Sequence, residues 1–105
     1  MIVPLSGESE EMSKVELLEE LIAIFRATAE AHHQAFIETG GVDPEWASWY
    51  AGHMEARING ALRVRLTHEQ IVDLLLRADT DHQHVAPGRD WAIFYAEYFL
   101  SEVSE

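Results

Sequence analysis

The sequence predicts an all-α protein, a four-helix bundle built from two similar αα-hairpins. Apolar residues recur at spacings of three and four, and cap residues, glycines and prolines separate the apolar segments. No segment alternates polar and apolar residues with the period of two that a half-buried strand requires. We expect a flexible acidic tail at residues 1–12 and a single domain at 13–105, with hairpins at 13–62 and 67–104.

The first helix is predicted to begin after Ser13, a capping residue, with Glu16 three residues later as its capping-box partner. Gly40 and Gly41 are expected to end this helix, because glycine readily takes the left-handed conformation that closes helices. The residues predicted to share one face of the helix are Leu18, Leu21, Ile22, Phe25, Ala29, His32 and Phe36.

The segment Asp43-Pro44-Glu45 predicts the start of the second helix. Aspartate accepts hydrogen bonds from free amides, and proline fits the first turn because it has no N–H to satisfy there. Glutamate suits the positive end of the helix dipole. We expect this helix to end at about Gly60.

Thr67, supported by Gln70, predicts the start of the third helix. Pro87-Gly88 interrupts the chain after it, and the fourth helix should begin near Arg89 or Asp90 and continue almost to the last residue. The residues expected on the buried face of the third helix are Ile71, Leu74, Leu75, Ala78 and His82.

An internal duplication is indicated by the second and fourth helices. Residues 46–54 read Trp-Ala-Ser-Trp-Tyr-Ala-Gly-His-Met, and residues 91–99 read Trp-Ala-Ile-Phe-Tyr-Ala-Glu-Tyr-Phe. The first and third helices align more faintly but without gaps, and His32 falls opposite His82. This pattern favours a repeated hairpin, although equally buried helices also converge on similar patterns.

The charge balance is strongly acidic, with 19 Asp and Glu against seven Lys and Arg and a formal net charge of −12. Because such a chain repels phosphates, we predict no direct nucleic-acid binding. The acidic excess favours solubility, and one alternative is a nucleic-acid mimic that binds a basic protein partner. The absence of cysteine excludes disulfides and thiolate metal sites.

The location expected from the sequence is the cytoplasm. The first residues lack a basic start followed by a long apolar run, and no stretch reaches the roughly 18 apolar residues of a membrane span. We therefore predict no membrane contact.

Helices two and four carry an apolar arc that is wider than one neighbouring helix covers. We predict that the arc forms an interface and that the protein is a non-catalytic interaction or regulatory module, self-associating as a homodimer or binding another protein. The large residues expected at this interface are Trp46, Trp49, His53, Arg57, Trp91, Phe94 and Tyr98.

The alternative function is metal or small-ligand binding by inward side chains. His32 and His82 lie near the carboxyl ends of equivalent helices, and Tyr50 and Tyr95 accompany them as ligand candidates. The competing interpretation is that each histidine is half buried and hydrogen-bonded to a tyrosine or a carbonyl.

No metal centre and no cofactor are predicted. Glu30 precedes His33, and Asp79 precedes His82, by the three residues of a di-iron bundle motif. Glu30, however, lies about 120° from the apolar stripe of its helix, so its carboxylate should face solvent.

We also predict no enzymatic activity. The sequence has no glycine-rich phosphate loop, no G-x-S-x-G turn and no His-Glu-x-x-His motif. Ser48 and His53 are five residues apart, which places them on different faces of one helix.

Overall fold

The computed structural model describes residues 13–103, which fold into four α-helices. They are α1 (Lys14–Ala35), α2 (Trp46–Leu62), α3 (His68–Val85) and α4 (Trp91–Val103). A 3-10 turn, Ile37–Thr39, follows α1. Within residues 13–103 the structure contains no strand. The acidic tail predicted at residues 1–12 lies outside the described residues.

Both predicted capping boxes are present. The Ser13 hydroxyl accepts a hydrogen bond from the Glu16 amide, while the Glu16 carboxylate accepts one from the Ser13 amide. Thr67 and Gln70 exchange the same pair of bonds at the start of α3. Because each pair satisfies two amides that the helix itself leaves free, these four residues set the start of α1 and α3 locally.

The first connection begins earlier than the glycines suggest. Helix α1 ends at Ala35, and the chain makes the 3-10 turn before Gly40 and Gly41 take positive φ angles of 70° and 87°. The glycines therefore reverse the chain after the turn and do not end α1 itself.

Helix α2 begins at Trp46, two residues later than the Asp43-Pro44-Glu45 segment suggests. Asp43 accepts a hydrogen bond from the Glu45 amide through Oδ1, and its carbonyl accepts one from the Trp46 amide. Glu45 occupies the N-cap position without a side-chain cap. Asp43 thus orders a turn that leads into the helix, and its second carboxylate oxygen is left for another partner.

The connection between α2 and α3 lies against the end of α2. Arg63 takes a left-handed conformation (φ 60°), and the Asn59 side chain bonds both the amide and the carbonyl of Leu66. Leu66 lies outside the helices, so its amide and carbonyl have no helical hydrogen-bond partner, and the Asn59 side chain supplies one for each. The connection is thereby held in one conformation.

The connection between α3 and α4 is shorter than the connection between α1 and α2, and α3 and α4 run antiparallel. Asp90 accepts hydrogen bonds from the amides of Ala92 and Ile93 and so caps α4. Contacts run from His82–Phe94 near the turn to Arg77–Glu102 at the far end.

Each helix packs against two others, in the pairs α1–α2, α2–α3, α3–α4 and α1–α4. This confirms the predicted four-helix bundle and its all-α class. The buried apolar residues form one core: Leu21, Ile24, Phe25, Ala47, Ala51, Met54, Ile58, Ile71, Leu74, Leu75, Ala78, Ala92, Tyr95, Ala96, Phe99 and Leu100.

The two hairpins match as the duplication predicts. Ala35 and Val85, which are equivalent positions, end α1 and α3, while Trp46 and Trp91 begin α2 and α4. The equivalent alanines of α2 and α4 are all buried, so a neighbouring helix can approach their backbones. A pseudo-two-fold relation between the hairpins exchanges α1 with α3 and α2 with α4. The helix contacts fit this relation, because the α1–α4 pair is the counterpart of the α2–α3 pair.

No helix within residues 13–103 is both long enough and apolar enough to span a membrane.

Candidate functional site

The residues predicted to form a single aromatic interface fall into three places. Trp46 and Trp91 lie together on a cleft between the hairpins. Trp49 and His53 lie on α2 of the first hairpin, and Phe94 and Tyr98 lie on α4 of the second hairpin. An interface formed by these aromatic residues would therefore have two separate parts.

The first of these parts, which we call shoulder one, is the stacked pair Trp49 and His53. Their ring centroids are 5.1 Å apart and the planes differ by 9°. Trp49 also meets the ring of His32 edge-on at 5.1 Å. His53 is exposed and Trp49 is half buried, and Arg57, one turn further along α2, is exposed as well.

Shoulder two is the equivalent pair on α4, Phe94 and Tyr98. Their rings stack with centroids 6.5 Å apart and planes 23° from parallel. The ring of His82 meets Phe94 at 5.2 Å, as His32 meets Trp49 in the first hairpin. The duplication therefore places one partly exposed aromatic stack on each hairpin.

His32 is buried and forms a pair with Asp43. Its Nε2 lies 3.0 Å from Asp43 Oδ2, and each side chain is only 8% exposed. Because a carboxylate accepts, Nε2 carries the hydrogen. Its partner is thus neither a tyrosine nor a carbonyl, and the bond connects the end of α1 to the turn before α2.

His82 makes a different bond at the equivalent position. Its Nε2 lies 2.6 Å from the carbonyl oxygen of Arg89, to which it donates, and its ring meets Tyr95 edge-on. This bond agrees with the interpretation that the histidine is half buried and hydrogen-bonded to a carbonyl. Only His82, and not His32, lines the cleft between the hairpins.

The cleft has a volume of about 250 Å³. In each hairpin a tryptophan and a tyrosine one turn apart are nearly perpendicular, with centroids 5.3 Å apart for Trp46–Tyr50 and 5.4 Å for Trp91–Tyr95. The two pairs are equivalent under the duplication, so the cleft lies where the hairpins meet. Its lining residues are Trp46, Tyr50, Asp79, His82, Trp91 and Tyr95.

Asp79 also lines the cleft, although it is not among the ligand candidates predicted from the sequence. Its Oδ1 accepts a hydrogen bond of 3.0 Å from the Tyr95 hydroxyl, and the Gln83 amide donates to both carboxylate oxygens at 3.1 Å. The available signal was its spacing: Asp79 follows Leu75 by four residues and so shares the buried side of α3. The equivalent position in α1 is Ala29, so the second hairpin alone supplies a carboxylate.

The two tyrosines of the cleft differ in their hydroxyl partners. Burial raises the pKa of both Tyr50 and Tyr95, and for Tyr95 the negative charge of Asp79 and the bond to it raise the pKa further. Both hydroxyls are therefore protonated at neutral pH. The Tyr95 hydroxyl donates a hydrogen bond to Asp79, whereas the Tyr50 hydroxyl has no hydrogen-bond partner within residues 13–103.

A larger hollow of about 460 Å³ lies between α3 and α4, and three of its charged lining residues, Asp73, Arg77 and Glu102, are bonded to one another. Arg77 is bonded there to Asp73 at 2.9 Å and to Glu102 at 3.4 Å. These groups satisfy one another, so we regard the smaller cleft as the better site.

Ser48 contacts His68 instead of His53, with Oγ 3.2 Å from Nε2. No carboxylate in the described part of the chain is hydrogen-bonded to His68. Within residues 13–103, no group of three or more histidine, aspartate or glutamate side chains is arranged to hold a metal ion.

Comparison of the chain with protein-family models, with curated proteins and with solved structures gives no match.

Proposed function

We propose that the protein is a non-catalytic helical module that binds a small ligand in the cleft between its two hairpins. One observation carries the proposal: three of the four side chains expected to form a ligand site, Tyr50, Tyr95 and His82, line one cleft together with two tryptophans. Aromatic walls with a few convergent polar groups are typical of small-molecule sites.

The size of the cleft limits the ligand. Sites for drug-sized molecules measure roughly 300–1,000 Å³, and the cleft is smaller, at about 250 Å³. A small compound, or the head of a larger one, fits this volume better than a nucleotide. The proposed location of the module is the cytoplasm, which rests on the sequence alone.

The three tryptophans provide the experiment. Two of them, Trp46 and Trp91, line the cleft, and Trp49 belongs to shoulder one. In ¹⁵N-labelled protein, each indole N–H gives its own NMR signal. We expect compounds from a small-molecule panel that spans cations, neutral molecules and anions to shift Trp46 and Trp91 saturably while Trp49 stays in place. A panel that moves no indole, or moves Trp49 alone, would contradict the proposal.

Self-association is the second candidate function, and the two shoulders favour it. Trp49–His53 and Phe94–Tyr98 are stacked, partly exposed aromatic pairs at equivalent positions of the two hairpins. Tryptophan and tyrosine are enriched in the residues that contribute most to interfaces. A homodimer would cover like surfaces on both copies.

Sedimentation velocity tests this second function. We expect the protein to sediment as a dimer at high micromolar concentration and Trp49→Ser to lower the dimer fraction. Ala56→Ser changes an exposed residue of the same helix by one oxygen atom and serves as the matched control. A strict monomer at that concentration would remove the hypothesis.

A further inference from the structure

We infer that the cleft binds a small organic cation whose head is an alkylated ammonium group. The inference rests on the proposed ligand-binding function and adds the chemical class of the ligand. It follows from three features: the tryptophan and tyrosine rings of the walls, the one carboxylate, and the absence of lysine and arginine from the six lining residues.

The walls suit a cation with apolar substituents. Trp46 and Tyr50 meet at 85°, and Trp91 and Tyr95 meet at 87°, so each pair forms a corner and both corners line one cleft. Aromatic faces carry negative charge, and tryptophan attracts cations most strongly. Quaternary ammonium ions are recognised by such sets of rings because their alkyl groups pack on the rings while their charge is attracted.

Asp79 supplies the carboxylate of the cleft, and no lysine or arginine among the lining residues pairs with it. Asp79 is bonded by two neutral donors, the Tyr95 hydroxyl and the Gln83 amide. None of the six lining residues is a lysine or an arginine. These donors fix the orientation of the carboxylate and leave its charge in place, so a cationic ligand would supply the missing partner. The net charge of the chain, −12, attracts cations as well.

Two arginines have contacts close to Trp91 in the sequence: Arg89 lies two residues before it, and Arg26 contacts the adjacent Asp90. Arg89 contacts Glu97 at 2.9 Å, and Arg26 contacts Asp90 at 3.1 Å. Because both guanidinium groups have carboxylate partners of their own, neither competes for Asp79 in this arrangement.

The duplication explains how such a site forms. Each hairpin contributes one tryptophan–tyrosine corner, so the pseudo-two-fold relation supplies the walls twice. The charge comes from a lining position at which the halves differ: Asp79 in α3 corresponds to Ala29 in α1. A single carboxylate beside two tryptophan and two tyrosine rings matches one positive charge.

The experiment is an NMR titration of the full chain with three probes of similar shape. Tetramethylammonium is the cation, tert-butanol the neutral molecule and trimethylacetate the anion, with sodium chloride correcting for ionic strength. We expect tetramethylammonium to shift the Trp46 and Trp91 indole signals saturably and to leave Trp49 unchanged. The other two probes should give at least tenfold weaker binding.

Two variants test the carboxylate. Asp79→Asn keeps the size of the side chain and an oxygen that accepts from Tyr95, and we expect it to weaken tetramethylammonium binding about tenfold, which is about 1.4 kcal/mol. Asp81→Asn is the matched control, because Asp81 is exposed on the same helix, and its affinity should stay within about twofold of the unaltered protein. Amide spectra and urea unfolding check that both variants fold.

The outcomes separate this inference from the proposed function. If tert-butanol or trimethylacetate moves Trp46 and Trp91 as strongly as the cation does, the cleft is a ligand site but its chemical class is wrong. If tetramethylammonium moves neither, or if Asp79→Asn and Asp81→Asn bind it equally, the inference is overturned. The panel described above then decides whether the cleft binds any ligand.

Discussion

Replacing Phe25 tests whether the two hairpins dock as the structure shows. Phe25 is fully buried on α1, and its ring meets three rings of α4 edge-on: Trp91 at 6.3 Å, Tyr95 at 5.8 Å and Phe99 at 5.1 Å. Two of these rings are walls of the cleft. Phe25 therefore supports both the bundle and the site.

The expected cost of Phe25→Ala follows from burial and from these contacts. A buried aromatic side chain removes about 150–250 Å² from water, which at about 25 cal/mol per Å² stabilises the fold by about 4–6 kcal/mol. Alanine keeps part of that burial, while each edge-to-face pair that is lost costs about 0.5–1.5 kcal/mol more. We expect the free energy of unfolding to fall by about 3–5 kcal/mol, the usual range for this substitution in a core. The midpoint temperature should fall by about 15–20 °C.

Urea unfolding followed by far-ultraviolet circular dichroism measures this loss. Leu76→Ala is the control, because Leu76 is an aliphatic residue that is 47% exposed, and its cost should stay within about 0.5 kcal/mol. Phe25→Leu, which gives α1 the residue found at the equivalent position of α3, should lose less than Phe25→Ala. A loss below about 1 kcal/mol for Phe25→Ala, or an unchanged Trp91 indole signal, would refute the packing described here.

Three further predictions concern single polar groups. Asp43→Ala leaves the N–H of His32 buried without an acceptor, so the free energy of unfolding measured in urea should fall by about 1–3 kcal/mol. Asp43→Asn keeps an acceptor and should retain most of that stability. Equal losses in the two variants would contradict the His32–Asp43 hydrogen bond. Burial, together with the charge of Asp79, raises the pKa of Tyr95 above its ordinary value of 10.0. The folded state then holds this proton more tightly than the unfolded state, so stability is complete at lower pH and falls as pH rises above about 10. Unfolding of Tyr95→Phe at several pH values should show a smaller fall, and an unchanged slope would argue against the shift. Thr67→Ala should lower the free energy of unfolding by about 1 kcal/mol in thermal melts, whereas Thr67→Ser should retain most of it; similar losses in both would show that the hydroxyl does not cap α3.

The helices and their order could be predicted because their signals act over one turn. Each capping box joins two residues that are three positions apart, so it can be recognised from the sequence. The structure contains both boxes, Ser13 with Glu16 and Thr67 with Gln70. The end of α1 was placed too late because a 3-10 turn separates Ala35 from the glycines. A turn of that kind depends on the path the chain takes to reach α2, which spacing alone does not reveal.

The site was predicted only in part. Tyr50, Tyr95 and His82 were selected as ligand candidates and share the cleft, but Trp46 and Trp91 were assigned to an outer interface. A helical wheel shows which residues of one helix share a face; it does not show which neighbour covers that face.

Local patterns thus specified four amphipathic helices, the capping boxes of α1 and α3 and the matching of the two halves, because backbone hydrogen bonds and the helical period depend on residues within a few positions. Only the docking of the hairpins decided that Trp46, Asp79 and Trp91 lie around one cleft while Trp49 lies outside it. These residues come from three helices, and their meeting depends on how core side chains from distant parts of the chain fill the space between them.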